Sequence, residues 1–168
     1  MKLLIVRHAA AIERTSSISE EKRYLTPEGR VFMRKTASTM REKGIDPSLI
    51  ITSPLIRAVQ TADILAETIA YGGPLVVRDE VKPGFGLREL QGLLAEFPSE
   101  GEVVIVGHEP DLSGIISTLL SLPGGFNFKK GAAVMLKAEP AALQTTAAFK
   151  WLAAGNKLLK SREEAFAP

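Results

Sequence analysis

The sequence predicts an α/β fold: a three-layer α/β/α sandwich around a mainly parallel sheet of about six strands, with an antiparallel pair at one edge. Three observations predict it. The apolar runs Leu3-Leu4-Ile5-Val6 and Val103-Val104-Ile105-Val106 read as strands buried on both faces. Leu55, Ala58, Val59, Ala62, Leu65, Ala66 and Ile69 fall at the 3–4 spacing of a helix with one buried stripe. Strand-like and helix-like segments then alternate through most of the chain. Right-handed crossovers between parallel strands bring strand carboxyl ends and helix amino ends to one edge of the sheet.

The elements follow in order. After the first strand, residues 10–24 are polar and read as a solvated connector over the carboxyl edge. Thr26-Pro27-Glu28 announces a helix, with a hydroxyl cap, a proline at the first position and an acid in the first turn. Val31, Met33, Ala37 and Met40 supply its apolar residues and Gly44 its stop. Leu49 to Thr52 is a second strand. Ser53-Pro54 has the cap chemistry to open the next helix, which Gly72-Gly73 ends. Leu75 to Val77 is a third strand, followed by a loop over Asp79 to Gly84. Leu87, Leu90, Leu94 and Phe97 mark a further helix. The strand that ends at His108 comes next, then a helix opened by Glu109-Pro110 and broken at Leu122-Pro123-Gly124-Gly125. Ala132 to Ala138 and Thr145 to Leu152 form the antiparallel pair, joined by a Glu139-Pro140 turn. The charged tail has weak periodicity and is expected to pack loosely after about residue 155.

Size and composition narrow the function. A chain of 168 residues suits a single domain with a sizeable core. The net charge of +2 comes without a lysine–arginine run, so neither a nucleic-acid partner nor a membrane arm is expected. Cysteine is absent, which removes disulfides and thiolate catalysis and fits a cytoplasmic location. The apolar start is too short for a signal segment, and no stretch approaches the roughly 20 apolar residues of a membrane span.

The chemistry lies in two histidines, the only ones in the chain. His8, preceded by Arg7, follows the first strand, and His108 follows its near-copy Glu102 to Gly107. Strand carboxyl ends are where open α/β sheets bind ligands. Each histidine alone could be a turn residue bonded to nearby backbone; matching positions for both point to function. Arg57 falls in the first turn of its helix, off the buried stripe, and on spacing alone it reads as exposed. Arg7 and Arg57, with Arg23 and Glu80 from loops, complete the candidate cluster. Converging arginines and helix amino ends make an anion site whose guanidinium geometry suits phosphate. A neutral imidazole among them is a nucleophile toward phosphorus, and a second can hydrogen-bond the phosphoryl oxygens. No cluster of metal-ligand type is visible, so neither metal nor cofactor is expected. No Gly-x-Gly-x-x-Gly turn follows the first strand, which disfavours a dinucleotide-binding oxidoreductase.

Three segments also resemble a known family. Arg7-His8-Ala9, Ser53-Pro54-Leu55-Ile56-Arg57-Ala58-Val59-Gln60-Thr61-Ala62 and Gly107-His108-Glu109-Pro110 resemble, in order, the signatures of the histidine phosphatase (phosphoglycerate mutase-like) superfamily. The short length and Arg23-Tyr24-Leu25-Thr26-Pro27-Glu28-Gly29 look most like SixA-type phosphohistidine phosphatases. The resemblance implies a phosphoglycerate mutase-like fold and a transiently phosphorylated His8. It implies that Arg7, Arg57, His108 and Arg23 hold the phosphoryl oxygens, and that water regenerates the enzyme. Position 9 departs from the signature, with alanine in place of glycine. The general acid has no clear match; Glu80 is the first candidate and Glu109 the second. A labile P–N bond needs less acid assistance than an ester, which favours a phosphohistidine-bearing signalling or phosphotransfer protein as substrate. The alternatives are a small phosphorylated molecule on the same fold and a non-enzymatic phosphate-binding module.

Overall fold

The computed structural model describes residues 1–123, 125–138 and 146–167. Its elements are β1 (Lys2–Arg7), α1 (Pro27–Glu42), β2 (Leu49–Thr52), α2 (Ile56–Ile69), β3 (Leu75–Val77), α3 (Leu87–Ala95), β4 (Glu102–Gly107), α4 (Asp111–Leu120), β5 (Ala133–Lys137), β6 (Ala148–Ala154), β7 (Lys157–Leu159) and α5 (Arg162–Ala165). Single 3-10 turns cover Glu20–Lys22 and Asp79–Val81.

The seven strands form one sheet in the order β3-β2-β4-β1-β5-β6-β7. β3, β2, β4 and β1 run parallel, while β5, β6 and β7 join as antiparallel neighbours. β1 explains why the parallel half sits inside. Its Leu3, Leu4, Ile5 and Val6 are at most 1% exposed, so neither face meets water. Leu3 and Ile5 pack with α3 and α4 residues such as Leu90 and Ile116. Leu4 and Val6 pack on the other face with Met33 and Met40 of α1 and Leu65 of α2. The strand's period of two thus divides the molecule into the three expected layers.

Several boundaries differ from the sequence reading, each for a physical reason. Among the described residues the sheet has seven strands, against the expected six or so. The extra one, β7, comes from the charged tail, where Leu158 and Leu159 pair with β6. Beyond it Phe166 packs edge-on against Phe126 and Phe149, with ring centroids 4.7 and 5.1 Å away. Helix α2 begins at Ile56, not at Ser53-Pro54. Ser53 precedes a proline and is therefore biased toward extended backbone. Its hydroxyl is also turned to His108. The same helix ends before Gly72-Gly73, because Ala70 itself takes the left-handed conformation with φ of 57°. Val31 lies on the solvent side of α1, whereas Met33, Ala37 and Met40 are buried as expected. Thr26 caps α1 as expected, its hydroxyl accepting the Gly29 amide at 3.0 Å. The Glu139-Pro140 turn and Gly124 lie outside the described residues. Among the described residues no helix is long and apolar enough to cross a membrane.

Two features fix the edge where the parallel strands end. The registers align Arg7 with Gly107 and Thr52 with Val106, so β1, β4 and β2 stop together. The loop after β1 is clamped by α1: Thr26 donates its amide to the Ala10 carbonyl at 3.0 Å. A Cβ at Gly29 would come within 2.2 Å of that same oxygen, so only glycine allows the helix this close.

Candidate active site

His8 and His108 stand side by side at that edge because β1 and β4 are paired neighbours. The His8 amide donates to the Gly107 carbonyl at 3.1 Å, and the two imidazole centroids are 5.1 Å apart. Both are buried, at 8% and 3% exposure. His8 Nδ1 lies 2.8 Å from the Ala9 carbonyl, an acceptor only, so Nδ1 carries the proton and donates it there. Nε2 is left with its lone pair. The Nε–H of Arg57 donates to it at 3.3 Å.

Arg57 is not the exposed residue its spacing suggests; it is 4% exposed. From the first turn of α2 it reaches over the sheet edge to His8. Arg7 turns its Nη1 to the Phe128 carbonyl at 2.5 Å, while its Nε is buried without a hydrogen-bond partner. His108 Nε2 lies 2.7 Å from the hydroxyl of Ser53, and its Nδ1 is buried and unpartnered. Two buried, unpaired ring or guanidinium nitrogens thus belong to the same cluster.

The electrostatics favour uncharged imidazoles. Burial is the largest cause that pushes His8 down to about 3; the hydrogen bond to the Ala9 carbonyl, second in size, opposes it, and the charges of His108, Arg57 and Arg7 add to the lowering. Burial, with Arg57 and Arg7, pushes His108 down to about 4, Glu20 opposing. Burial also lowers Arg7 and Arg57, partly offset by Glu109 and Glu20 respectively. At neutral pH the site is therefore two neutral imidazoles beside two guanidinium cations.

The loop candidates fall differently. Arg23 donates Nε to the Ile12 carbonyl at 2.8 Å and Nη1 to Glu20 at 2.9 Å, so it joins the cluster by way of Glu20. Glu80 is exposed on the turn after β3, and among the described residues no hydrogen bond or ion pair links it to His8, Arg57 or His108. Glu109 accepts the Ser113 amide at 3.0 Å and acts on Arg7 through its charge.

Sequence reasoning missed four residues of this neighbourhood. Ser53 was explained as a helix cap, yet it is fully buried against His108. Glu20 was assigned to a solvated connector, yet it pairs with Arg57 at 3.0 Å. Thr61 and Gln60 passed as helix residues. Thr61 accepts the Ala9 amide at 3.0 Å, and Gln60 accepts the Leu25 amide at 2.8 Å, fastening two loops to α2. The signal available was the polarity of Gln60-Thr61 beside the buried positions of α2. Ala9, where the family signature has glycine, does not take a positive φ, so the backbone there does not require glycine. Among the described residues no group of three or more His, Cys, Asp or Glu side chains is arranged to hold a metal ion.

Comparison with known proteins agrees with this geometry. The family model of the histidine phosphatase superfamily (branch 1) matches residues 3–82. An uncharacterized protein of Picosynechococcus sp. is 30% identical over 151 residues, covering 86% of this chain and 89% of that one. Among solved structures, the protein histidine phosphatase SixA complexed with tungstate superposes with a TM-score of 0.82 at 19% identity, covering 92% of this chain and 97% of that one. The α-ribazole phosphatase of Shigella flexneri superposes with a TM-score of 0.67 at 16% identity, covering 96% of this chain and 97% of that one.

Proposed function

The chain belongs to the histidine phosphatase superfamily, and from that premise we propose that it is a phosphohistidine phosphatase that works through a phosphorylated His8. The observation that carries the reading is the state of His8. Its Nδ1–H is tied to the Ala9 carbonyl, so the lone pair of Nε2 faces the guanidinium that would hold a phosphoryl oxygen.

In the proposed first step, Nε2 of His8 attacks phosphorus while the bond to the leaving nitrogen breaks, and the leaving imidazole departs with a proton. In the second step water attacks phospho-His8, giving phosphate and the free imidazole. Arg57 and the unpaired Nε of Arg7 offer charge-assisted hydrogen bonds to the oxygens. The unpaired Nδ1 of His108 offers another, since its Nε2 is engaged by Ser53. Arg23 contributes positive charge from the rim. All of these groups are organic side chains, so the proposed route needs no metal.

The leaving group is the finer point. Among the described residues neither candidate is tied to the histidines: Glu80 makes no hydrogen bond or ion pair with them, and Glu109 is engaged at the start of α4. That supports a labile phosphoramidate on a phosphotransfer or signalling protein over a stable ester. The likeness to α-ribazole phosphatase favours one second reading, a small phosphorylated molecule as substrate.

The test is turnover, with chelator present, of a phosphohistidine-bearing protein and of a panel of sugar and nucleotide monophosphates. Wild type and His8→Asn are compared. Loss of phosphohistidine by wild type alone is the expected result. Turnover by His8→Asn would remove the covalent route, and a preference for monophosphates would move the substrate to the second reading.

A further inference from the structure

The arginines of the cluster already hold one anion, and it belongs to the chain itself. Glu20 Oε1 lies 3.0 Å from Nη2 of Arg57 and 2.9 Å from Nη1 of Arg23. Its Oε2 accepts from Nε of Arg14 at 3.0 Å. The three guanidiniums run outward, with side chains 5%, 14% and 81% exposed for Arg57, Arg23 and Arg14. One carboxylate therefore sits on the path from the buried histidines to solvent and draws on the cations a phosphoryl group would use.

The carboxylate is not what positions Arg57. The backbone carbonyl of Glu20 accepts from Arg57 Nη1 at 2.8 Å, and His8 takes Nε. Both contacts persist if the side chain of residue 20 is changed. What the side chain adds is negative charge within hydrogen-bond reach of Arg57 and Arg23. Burial opposes that charge, but the hydrogen bond from Arg23 and the charges of Arg57, Arg23 and Arg14 hold the carboxyl below its usual range. It is therefore ionised at neutral pH and is no proton donor to a leaving group.

We propose that Glu20 is a specificity-determining residue whose carboxylate competes with the phosphoryl group for Arg57 and Arg23. The competition weakens the grip on bare phosphate and leaves selection of the substrate to contacts beyond the phosphoryl group. This suits a protein substrate, which has such contacts to offer, and it disfavours retention of the phosphate product. The inference rests on the His8 cluster being the phosphate site.

The experiment is calorimetric titration of wild type, Glu20→Gln and Glu20→Ala with orthophosphate and with orthovanadate. Thermal melts confirm that the variants fold; the residue lies on a half-exposed turn. Both variants are expected to bind each anion roughly 1.5- to fivefold more tightly, the range of a partly exposed ion pair. In turnover, kcat/KM of Glu20→Gln should rise more for an aryl phosphate than for a phosphohistidine-bearing protein. Weaker or unchanged anion binding in both variants overturns the role of Glu20 while leaving the phosphate site standing. Absence of anion binding in all three proteins overturns both.

Discussion

At the scale of single residues, the site is governed by which ring nitrogens carry protons. His8 is settled by a carbonyl, which can only accept. His108 faces a hydroxyl, which can do either. The Ser53 oxygen also accepts the Leu55 amide at 3.3 Å, and a hydroxyl that donates to Nε2 of His108 leaves the ring proton on Nδ1. In that arrangement Nδ1, buried without a partner, is the N–H that the proposed reaction offers to a phosphoryl oxygen. Ser53→Ala should release this choice and leave a buried nitrogen unpaired. We expect turnover to fall roughly tenfold or more, the scale of one hydrogen bond lost near developing charge. Nitrogen NMR of His108 should report a change of tautomer alongside it. A slower variant with an unaltered tautomer would reduce Ser53 to a packing residue.

At the scale of elements, His8, the proposed nucleophile, is held by the junction of β1 with α2, and Thr61 is the joint. Its hydroxyl accepts the Ala9 amide at 3.0 Å and donates to the Arg57 carbonyl at 2.6 Å. The residue after His8 is thereby tied to the backbone of Arg57. Thr61→Val keeps the shape and removes both bonds, leaving the Ala9 amide buried without an acceptor. The expected cost is about 1–3 kcal/mol, read as a lower urea midpoint at an unchanged slope. Vanadate affinity should fall with it, because Ala9 and Arg57 lose their common tether. A variant as stable as wild type would show that another group takes over the amide. The elements themselves were largely legible. Strands β1 and β4 announced themselves as unbroken apolar runs, and α2 by its stripe. What could not be read was local competition between side chain and backbone. Ser53 has the composition of a cap, but a tertiary partner outbids the helix end. Ala70 takes a left-handed conformation that composition assigns to the glycines after it. β7 is three residues long and leans on pairing with β6 rather than on its own pattern.

At the scale of the whole molecule, two apolar layers are sealed by a sheet whose carboxyl edge is its only concentration of buried polar groups among the described residues apart from Glu102 and Thr36. The histidines were found from sequence because the strand that buries each one also marks it. Arg57 is placed at the edge by its position in the first turn of its helix, but its burial is not legible from spacing, since a buried guanidinium breaks the rule that charge points to solvent. Glu20 escaped because nothing in a polar loop distinguishes a carboxylate that folds back on arginines from one in water. Concentrating both histidines there has a consequence for the entire fold. Their native values, about 3 and about 4, lie below the ordinary 6.5, so between these limits the unfolded chain binds more protons than the folded one. The stability they leave intact is complete above about pH 6.5 and is lost as pH falls toward 4 and then 3. Glu20, also lowered, acts in the same direction, with a smaller effect because it is partly exposed to solvent. Urea midpoints should therefore decline steadily from pH 7 to pH 4 and stay level from pH 7 to pH 8. Replacing His8 by asparagine, which is buried without a proton to gain, should flatten that decline. Equal slopes for wild type and His8→Asn would mean that His8 opens to solvent and titrates in the folded protein near its ordinary value. The neutral imidazole on which the nucleophilic step depends would then hold only above that value, and the acid limb of the rate profile would move up to meet it.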